Sequence, residues 1–279
     1  MLPRGEMADR LVAGGFEDVD RTGSAEAFAA YLERIGTDER VRKLNRTRAE
    51  TAGIGAGHRV LDVGCGVGFD ASILAELVAP GGHVVGVDQS AAMVERAAAR
   101  LAASELPVEF RTGDAHALPF GDGTFDAAWT ERVLVHVADP ALVVREMIRV
   151  VRPGGTVVIA EADYHAYVVD SLDPTVATQV MARHARGLRH PDIGRRVRRL
   201  CLDAGAAEVR MRPEVRLVYE LEFADKVLLL RDYLAAAVAA GEVDAERAAA
   251  WWAGLEDLQR RGRFLAALEF FIAFARVAG

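Results

Sequence analysis

The stretch that most constrains the fold of this chain spans residues 60–70. It opens with a mostly apolar run, which is typical of a strand covered on both faces of a parallel sheet. Gly64, Gly66 and Gly68 follow at alternate positions, and glycine tolerates positive φ and lets a ligand approach the backbone closely. Apolar residues at helical spacing come directly after them. The stretch therefore predicts a strand, a glycine turn and a helix that form a nucleotide-type site at the carboxyl edge of a sheet.

Strand and helix patterns alternate up to residue 161, which predicts a parallel sheet with right-handed crossovers. The predicted strands are 58–63, 83–88, 107–111, 124–129 and 155–161, with helices at 69–79, 90–103 and 139–151. Further helices are predicted at 170–189, 192–204, 223–240 and 244–261, and a strand at 207–219. The phenylalanine-rich end, 263–277, is predicted to be a last strand, with a helix as the alternative.

The first 52 residues are predicted to be a helical lid. The pattern from Ser24, a plausible N-cap, to about Ala52 is helical and carries one apolar face. The basic residues around its second helix are interpreted either as a solvated face or as part of a lid, with Tyr31 or an arginine facing the ligand. Residues 53–279 then form one domain with helical insertions at about 170–190 and 223–261.

Composition narrows the class of partners. The 279 residues carry a net charge of −7, so the chain is not expected to bind nucleic acid. The two cysteines, Cys65 and Cys201, predict no disulfide framework and fit a reducing cytosol. The N-terminal residues lack an apolar signal core, and the apolar runs are too short to span a bilayer. We therefore expect a cytoplasmic monomer or homodimer that acts on a small molecule and has no membrane partner.

The end of the second strand adds a ribose-binding residue. Asp88 follows an apolar run, where a carboxylate can accept hydrogen bonds from both hydroxyls of a ribose. Dinucleotide-binding sheets use the same device, but their fingerprint has glycine at the first, third and sixth positions. Counted from Gly64, the sixth position is Phe69, so a nicotinamide oxidoreductase is disfavoured.

Four blocks in order resemble the class I S-adenosylmethionine (SAM)-dependent methyltransferases. The resemblance is closest to the branch of ubiquinone and menaquinone biosynthesis and of bacterial natural-product enzymes. The blocks are 60–68, 86–93, 113–126 and 134–155, within a region of about 55–162. The resemblance implies a Rossmann-like α/β sheet that is mostly parallel with an antiparallel last strand, capped by N-terminal helices and helical insertions. It also implies SAM as the cofactor.

The resemblance assigns cofactor contacts residue by residue. Asp88 would bind the ribose hydroxyls and Asp114 the exocyclic amine. Met93 and Ala115 would contact the adenine faces, and Thr130 the methionyl end. The full set of implied cofactor residues is Asp62, Gly64, Cys65, Gly66, Gly68, Asp88, Gln89, Met93, Gly113, Asp114, Ala115 and Thr130. Cys65 is interpreted as a small buried residue and not as a nucleophile.

Methyl transfer to a hydroxyl or an acidic carbon needs a base near the carboxyl ends of strands four and five, where the acceptor must lie. His136 and Glu161 meet this condition. In the natural-product sugar O-methyltransferases that the chain resembles, a histidine and a carboxylate at these positions act as base or orienter. The alternative for both residues is a structural role.

The acceptor pocket is expected between strand five and the helical insertions. The insertions, with Trp251 and Trp252, are interpreted as a mobile apolar cover, or alternatively as a helical cap or dimer face. The residues after strand five that are expected near the acceptor are Asp163, Tyr164, His165 and Tyr167. His184, His190 and Asp192 do not match a known ligand spacing, so no metal site is predicted.

The predicted function is SAM-dependent methyl transfer to a small-molecule acceptor by in-line displacement at the sulfonium. The acceptor is expected to be a secondary metabolite or a quinone-like or glycoside compound. The alternatives are a SAM-retaining enzyme of the same fold with cyclisation or decarboxylation chemistry, a macromolecule methyltransferase, and a SAM-binding regulator. The acidic charge counts against an RNA substrate.

Overall fold

The structure, a computed structural model, describes residues 19–20 and 25–279. The predicted cap Ser24 lies outside the described residues. The described helices are α1 (Ala25–Gly36), α2 (Glu39–Thr51), α3 (Phe69–Val78), α4 (Ala91–Leu101), α5 (Pro140–Val150), α6 (Pro174–Arg186), α7 (Ile193–Asp203), α8 (Leu221–Leu228), α9 (Leu230–Ala239) and α10 (Ala245–Arg260). The described strands are β1 (Arg59–Val63), β2 (His83–Asp88), β3 (Val108–Thr112), β4 (Phe125–Glu131), β5 (Val151–Ala162), β6 (Val168–Val169), β7 (Ala206–Val218) and β8 (Ala266–Val277). None of these helices is long and apolar enough to cross a membrane.

The described strands form one sheet. Five parallel strands lie in the order β3-β2-β1-β4-β5, and β8 follows beside β5 in the antiparallel direction. β7 pairs with β8 along its length, and the short β6 also pairs with β8. The sheet confirms the predicted mostly parallel α/β fold with an antiparallel last strand.

Helices cover both faces of the sheet because the side chains of each strand alternate between two hydrophobic cores. Val60 of β1 packs in a core that includes residues of α3, α6 and α9, and Leu61 packs in a second core with α5 and α7. Both side chains are fully buried. The carboxyl ends of the parallel strands therefore meet at one edge, where the connecting loops form a site.

Side-chain caps begin two helices next to this edge. Ser90 Oγ accepts from the Met93 amide at 3.2 Å at the start of α4. Asp139 Oδ1 accepts from the amides of Ala141 and Leu142 at 2.9 and 3.0 Å at the start of α5. Each cap satisfies amides that the first helical turn leaves without a partner.

The prediction of one helix over 223–240 is wrong, because the chain breaks at Leu229 into α8 and α9. Leu229 has a left-handed φ of 52°, and Asp225 Oδ1 accepts from the Arg231 amide at 2.9 Å. Leu228, Leu229 and Leu230 are all buried. A single helix cannot turn three consecutive side chains into one core, since neighbouring positions lie about 100° apart around its axis.

The phenylalanine-rich end forms β8, so the strand prediction is confirmed and the helix alternative is wrong. Phe270, Ile272 and Phe274 share one core, with exposed fractions of 2%, 0% and 6%. Alternate residues share a face in a strand, whereas a helix would turn Ile272 away from the other two.

Two helical glycines give a paired test of how closely α7 packs against the sheet. A Cβ on Gly194 of α7 would lie 2.9 Å from backbone atoms of Ala162, whereas a Cβ on Gly254 of α10 would meet only Leu172 at 4.0 Å. We expect Gly194→Ala to lower the free energy of unfolding by about 1–3 kcal/mol through overpacking. Gly254→Ala should raise it by about 0.5–1 kcal/mol, since alanine favours the helix. Urea denaturation measures both shifts, and equal shifts in the two variants would contradict the packing.

Candidate active site

The predicted glycine turn joins β1 to α3 and is fastened to the end of β2. The amides of Gly64 and Cys65 donate to the Val87 carbonyl at 2.7 and 3.0 Å. The Gly66 amide donates to Asp88 Oδ2 at 2.8 Å. These three amides therefore form hydrogen bonds inside the protein and hold the turn against the end of β2.

Asp88 ends β2 with its carboxylate held by two backbone amides. Oδ1 accepts from the Ser90 amide at 3.0 Å, and Oδ2 accepts from the Gly66 amide. Burial raises the pKa of Asp88, and the two amide hydrogen bonds oppose that rise. Each carboxylate oxygen accepts more than one hydrogen bond, so Asp88 keeps capacity for two hydroxyls of a ligand.

One cavity of about 720 Å³ follows this edge of the sheet. Small-molecule sites typically occupy about 300–1,000 Å³, so the cavity is in the upper part of that range. The predicted cofactor residues that line it are Gly64, Cys65, Gly66, Asp88, Gln89, Met93, Gly113, Asp114 and Ala115. Burial raises the pKa of the Cys65 thiol, so Cys65 stays protonated at neutral pH and is not an activated nucleophile.

Asp62, Gly68 and Thr130 do not line the cavity, in contrast to their predicted role. Thr130 is fully buried and donates to the Val63 carbonyl at 2.9 Å, and Gly68 begins α3 in a left-handed conformation. Asp62 is buried, and burial and neighbouring carboxylates raise its pKa well above the ordinary value. The structure gives these residues a supporting position behind the turn instead of a place in the cavity wall.

The N-terminal helices lie over the glycine turn. Leu32 of α1 would be 3.1 Å from a Cβ on Gly66, and a Cβ on Gly36 would overlap the Phe69 ring at 2.2 Å. Tyr31 lines the same cavity, where the lid interpretation expects it. Motion of these helices as a lid remains a prediction.

The loop after β4 carries the predicted base His136. Arg132 adopts a left-handed φ of 56° directly after the strand, and Arg132 and His136 both line the cavity. Burial, together with the charge of Arg132, lowers the pKa of His136 to about 3. His136 is therefore a neutral imidazole at pH 7, which can accept a hydrogen bond but is a weak base.

Glu161, the second predicted base, lies behind that loop and does not line the cavity. Its Oε1 accepts from the amides of Val133 and Leu134 at 2.9 and 2.6 Å. The side chain is fully buried, and burial raises the pKa of Glu161 to about 8. Because both hydrogen bonds go to the backbone that leads to His136, the geometry makes Glu161 a support of this loop instead of a base at the acceptor.

Several aromatic side chains line the same cavity as His136 and define an aromatic chamber. The ring centroids of Tyr164 and Tyr167 are 5.1 Å apart, and His184 stacks on Tyr233 at 4.4 Å. Burial lowers the pKa of His184 to about 3, so this imidazole is also neutral. The rings that define the aromatic chamber are Tyr164, Tyr167, His184, Phe223, Tyr233 and Phe270.

The helical insertions contribute to the chamber, but not through the tryptophans. Trp251 is buried in the core, and the Trp252 ring packs against the Arg231 guanidinium at 3.9 Å. Neither tryptophan lines the cavity, because α10 lies outside α8 and α9, which supply Phe223 and Tyr233.

Two of the residues expected after β5 are used elsewhere. Asp163 Oδ1 accepts from Arg195 Nη2 at 2.8 Å and from the His165 amide at 3.1 Å, and the His165 side chain is exposed. His190 Nε2 lies 3.1 Å from the Val137 carbonyl. Within the described part of the chain, no group of three or more His, Cys, Asp or Glu residues is placed to hold a metal ion.

Buried charges connect α2, β4 and β7 at the chamber wall. Arg48 is fully buried and contacts Glu131 at 3.1 Å and Glu214 at 2.5 Å. Arg132 and Arg216 lie 3.7 and 3.6 Å from the same Glu131 carboxylate. Burial by itself raises the pKa of Glu131, but the three guanidinium groups outweigh it and hold this pKa below its usual range.

Sequence reasoning misses Arg132, Glu214 and Arg216. A local signal exists for Arg132, since a charged pair, Glu131 and Arg132, directly follows a buried strand at the edge where sites form. Glu214 and Arg216 have no such signal, because β7 reaches the cavity only through its pairing with β8.

Comparison with known proteins identifies the family. Residues 54–189 match a family described as a methyltransferase domain. An uncharacterised 37.1 kDa protein in transposon TN4556 of Streptomyces fradiae is 37% identical over 250 residues, which cover 88% of this chain and 70% of that protein. The chain therefore belongs to the class I SAM-dependent methyltransferases, in the branch of quinone and natural-product enzymes, and SAM is the cofactor of that family, as predicted.

Two named relatives lie in the same branch. Methyltransferase GfsG of Streptomyces halstedii is 38% identical over 51% of each chain. A demethylmenaquinone methyltransferase of Clavibacter sepedonicus is 39% identical over 51% of this chain and 55% of that one. The chain thus spans about half the length of these two relatives.

Solved structures agree on the fold. The [4+2]-cyclase SpnF has a TM-score of 0.54 and 23% identity, covering 85% of this chain and 82% of its own. A putative methyltransferase from Bacillus halodurans has a TM-score of 0.57 and 19% identity, covering 84% of this chain and 99% of its own. At these identities the similarity establishes the shared sheet and leaves the chemistry open.

The raised pKa of Glu161 predicts a pH-dependent stability. This pKa is about 8 in the folded protein against an ordinary 4.5, so the stabilisation is complete below the lower value and is lost as the pH rises towards 8. Glu161→Gln removes the titrating group and keeps an oxygen for the two amides. Between about pH 5 and 8, the free energy of unfolding should fall by about 1–4 kcal/mol more in the wild type than in Glu161→Gln, measured by urea denaturation.

Glu146→Gln is a matched control of opposite sign. Glu146 Oε2 also accepts a backbone amide, from Leu118 at 2.9 Å, but its pair with Arg149 lowers the pKa of Glu146. Its stabilisation is therefore present at neutral pH and is lost as the pH falls through the acidic range. Parallel pH profiles for wild type and Glu161→Gln would show that Glu161 is ionised throughout and contradict the prediction.

Proposed function

We propose that this chain transfers the methyl group of SAM to a small molecule held in the aromatic chamber, a secondary metabolite or a quinone-like compound. The observation that carries the proposal is the continuity of one cavity. The same space of about 720 Å³ reaches from Asp88 and the glycine turn to Tyr164 and Tyr233. This volume is more than twice the lower limit of a small-molecule site, about 300 Å³, so a cofactor and an acceptor have room side by side.

The residues at the glycine end fit SAM. Gly64 lines the cavity with a φ of 73°, and a Cβ there would overlap Val133 at 2.3 Å, so a residue without a side chain is needed at this position. Asp88 has the acceptor capacity for both ribose hydroxyls. Asp114 accepts from the amide and the ring of His116 at 2.8 and 2.7 Å, and these hydrogen bonds lower the pKa of Asp114, so it stays an ionised acceptor for the adenine amine.

When bound, SAM supplies a methyl group that is already activated by its sulfonium. The chain therefore has to align the acceptor, exclude water and handle one proton. Leu32 and Tyr31 of α1 close the cavity above the turn, which supports exclusion of water. His136 is neutral and accepts a hydrogen bond from the acceptor, and Glu161 positions the loop that carries His136.

The chamber favours a flat apolar acceptor. Tyr164, Tyr167 and Phe270 line one continuous wall, and aromatic rings prefer stacked or edge-to-face contacts with other rings. Leu268 of β8 also lines the cavity and offers an apolar surface beside Phe270. The relative from Clavibacter sepedonicus, named for demethylmenaquinone, supports a quinone-like compound.

Calorimetry with SAM, S-adenosylhomocysteine and NADH tests the cofactor half of the proposal. We expect both adenosyl ligands to bind and NADH not to bind. Asp88→Asn should weaken SAM binding roughly 10- to 100-fold, because a hydrogen bond to a charged group contributes about 1.5–3 kcal/mol. Asp203→Asn, at the exposed end of α7, is the matched control and should leave the affinity unchanged. Unchanged affinity in Asp88→Asn would remove Asp88 from the site.

Turnover of 1,4-naphthohydroquinone, a flat quinol probe, tests the role of His136. We expect His136→Ala to lower kcat about 10- to 100-fold with unchanged SAM affinity, and His136→Gln, which keeps an acceptor, to recover part of the loss. Because the pKa of His136 is about 3, the ratio of wild-type to variant kcat should stay constant between about pH 5 and 8. Mass spectrometry follows methylated product and S-adenosylhomocysteine together. Conversion of the probe without S-adenosylhomocysteine would indicate non-methylating chemistry, and a ratio that changes near pH 6.5 would show that His136 titrates.

A further inference from the structure

Arg216 faces the aromatic chamber with unused hydrogen-bond donors. Its Nε and Nη2 atoms are buried and have no hydrogen-bond partner among the residues that the structure describes. The guanidinium stacks on the Phe270 ring at 4.1 Å, and Nη2 is 3.6 Å from the Glu131 carboxylate, which is beyond hydrogen-bond distance. Burial, together with the charges of Arg48 and Arg132, lowers the pKa of Arg216. The guanidinium therefore lacks a full counter-charge within the protein.

The charges around Arg216 leave a positive surplus. Only two carboxylates of the described residues, those of Glu131 and Glu214, form ion pairs with the four guanidinium groups of this cluster. The pairs are Glu131 with Arg48, Arg132 and Arg216, and Glu214 with Arg48 and Arg212. The nearby Asp70 is held by neutral donors, the Asn45 amide at 2.7 Å and the Trp129 indole at 3.3 Å. A buried charge is costly unless it is paired, so a surplus beside a cavity favours an anionic ligand.

The cofactor does not remove this surplus. SAM carries a sulfonium, an ammonium and one carboxylate, so its binding adds net positive charge to the cavity. Arg216 also extends from β7, at the far end of the sheet from β2 and β3, whose ends carry Asp88 and Asp114. The ligand that complements Arg216 is therefore the molecule in the aromatic chamber.

We infer that the aromatic chamber selects an acceptor with an acidic oxygen, a carboxylate, phenolate or enolate oxygen on a flat apolar body, which the Arg216 guanidinium binds. The inference rests on the proposed function, since the ligand is the methyl acceptor. A guanidinium offers two parallel N–H groups that match an oxyanion, with more strength than neutral hydrogen bonds. The Arg216 guanidinium stacks on the Phe270 ring. This contact holds the guanidinium beside the aromatic rings that contact the apolar part of the ligand. The chamber thereby prefers the ionised form of an acidic acceptor.

A matched pair of ligands tests the inference by calorimetry on protein saturated with S-adenosylhomocysteine. The probes are 2-naphthoate and its neutral analogue 2-naphthamide. We expect wild type to bind naphthoate at least tenfold more tightly than naphthamide, and Arg216→Met to reduce this preference to about twofold or less. Arg216→Lys keeps the charge without the guanidinium and should retain part of the preference. Arg210→Met removes an exposed arginine of the same strand that does not line the cavity, and should retain all of it.

Three outcomes would overturn the inference. One is no preference for naphthoate in wild type, or no binding of either probe at millimolar concentration. Another is an unchanged preference in Arg216→Met. A third is a tenfold loss of SAM affinity in Arg216→Met, which would assign Arg216 to the cofactor carboxylate. Failure of the proposed function gives a different result, because the wild type would then not bind SAM. In that case the preference for naphthoate is measured on the protein without S-adenosylhomocysteine. Melting temperatures within a few degrees of wild type establish that each variant is folded.

Discussion

The active-site edge depends on the buried contact between Arg48 and the two carboxylates of Glu131 and Glu214. It joins α2, β4 and β7, three elements that are far apart in sequence and have no backbone hydrogen bonds with one another. Removing one member of a buried ion pair typically costs about 3–5 kcal/mol, because the other charge stays buried without a partner. The contact therefore links α2 to the cavity wall to which β4 and β7 contribute Glu131 and Glu214.

Two other buried acids at this edge, Asp62 and Glu161, have pKa values shifted in the opposite direction from that of Glu131. Glu131 is surrounded by guanidinium groups and stays ionised, whereas burial raises the pKa values of Asp62 and Glu161. Glu131 lies at the cavity wall, whereas Asp62 and Glu161 do not line the cavity. A protonated acid can hold backbone amides without adding charge, and Glu161 does so at the loop of His136.

The sequence predicts the cofactor half well because its determinants are local. The strand, turn and helix of residues 60–70 lie within eleven positions, and their geometry follows from apolar runs and glycine spacing. Asp88 is likewise placed by the end of a strand pattern. Thr130 and Glu161 also end strands at this edge, yet their side chains turn into the protein. A strand end gives a position along the sheet, but packing decides which way each side chain points.

The acceptor half depends on pairings that no local pattern encodes. Arg216 reaches the chamber because β8 reverses direction and places β7 beyond β5, and Leu229 enters the cavity wall because the helix breaks there. The family match ends at residue 189, before β7, α8 and α9, which supply Arg216, Phe223 and Tyr233. The family match therefore covers the glycine turn and Asp88, whereas the aromatic chamber combines Tyr164, Tyr167 and His184 from the matched region with Phe223, Tyr233 and Phe270 from outside it. Changes in the sequence outside the matched region can therefore alter the chamber while the glycine turn stays the same.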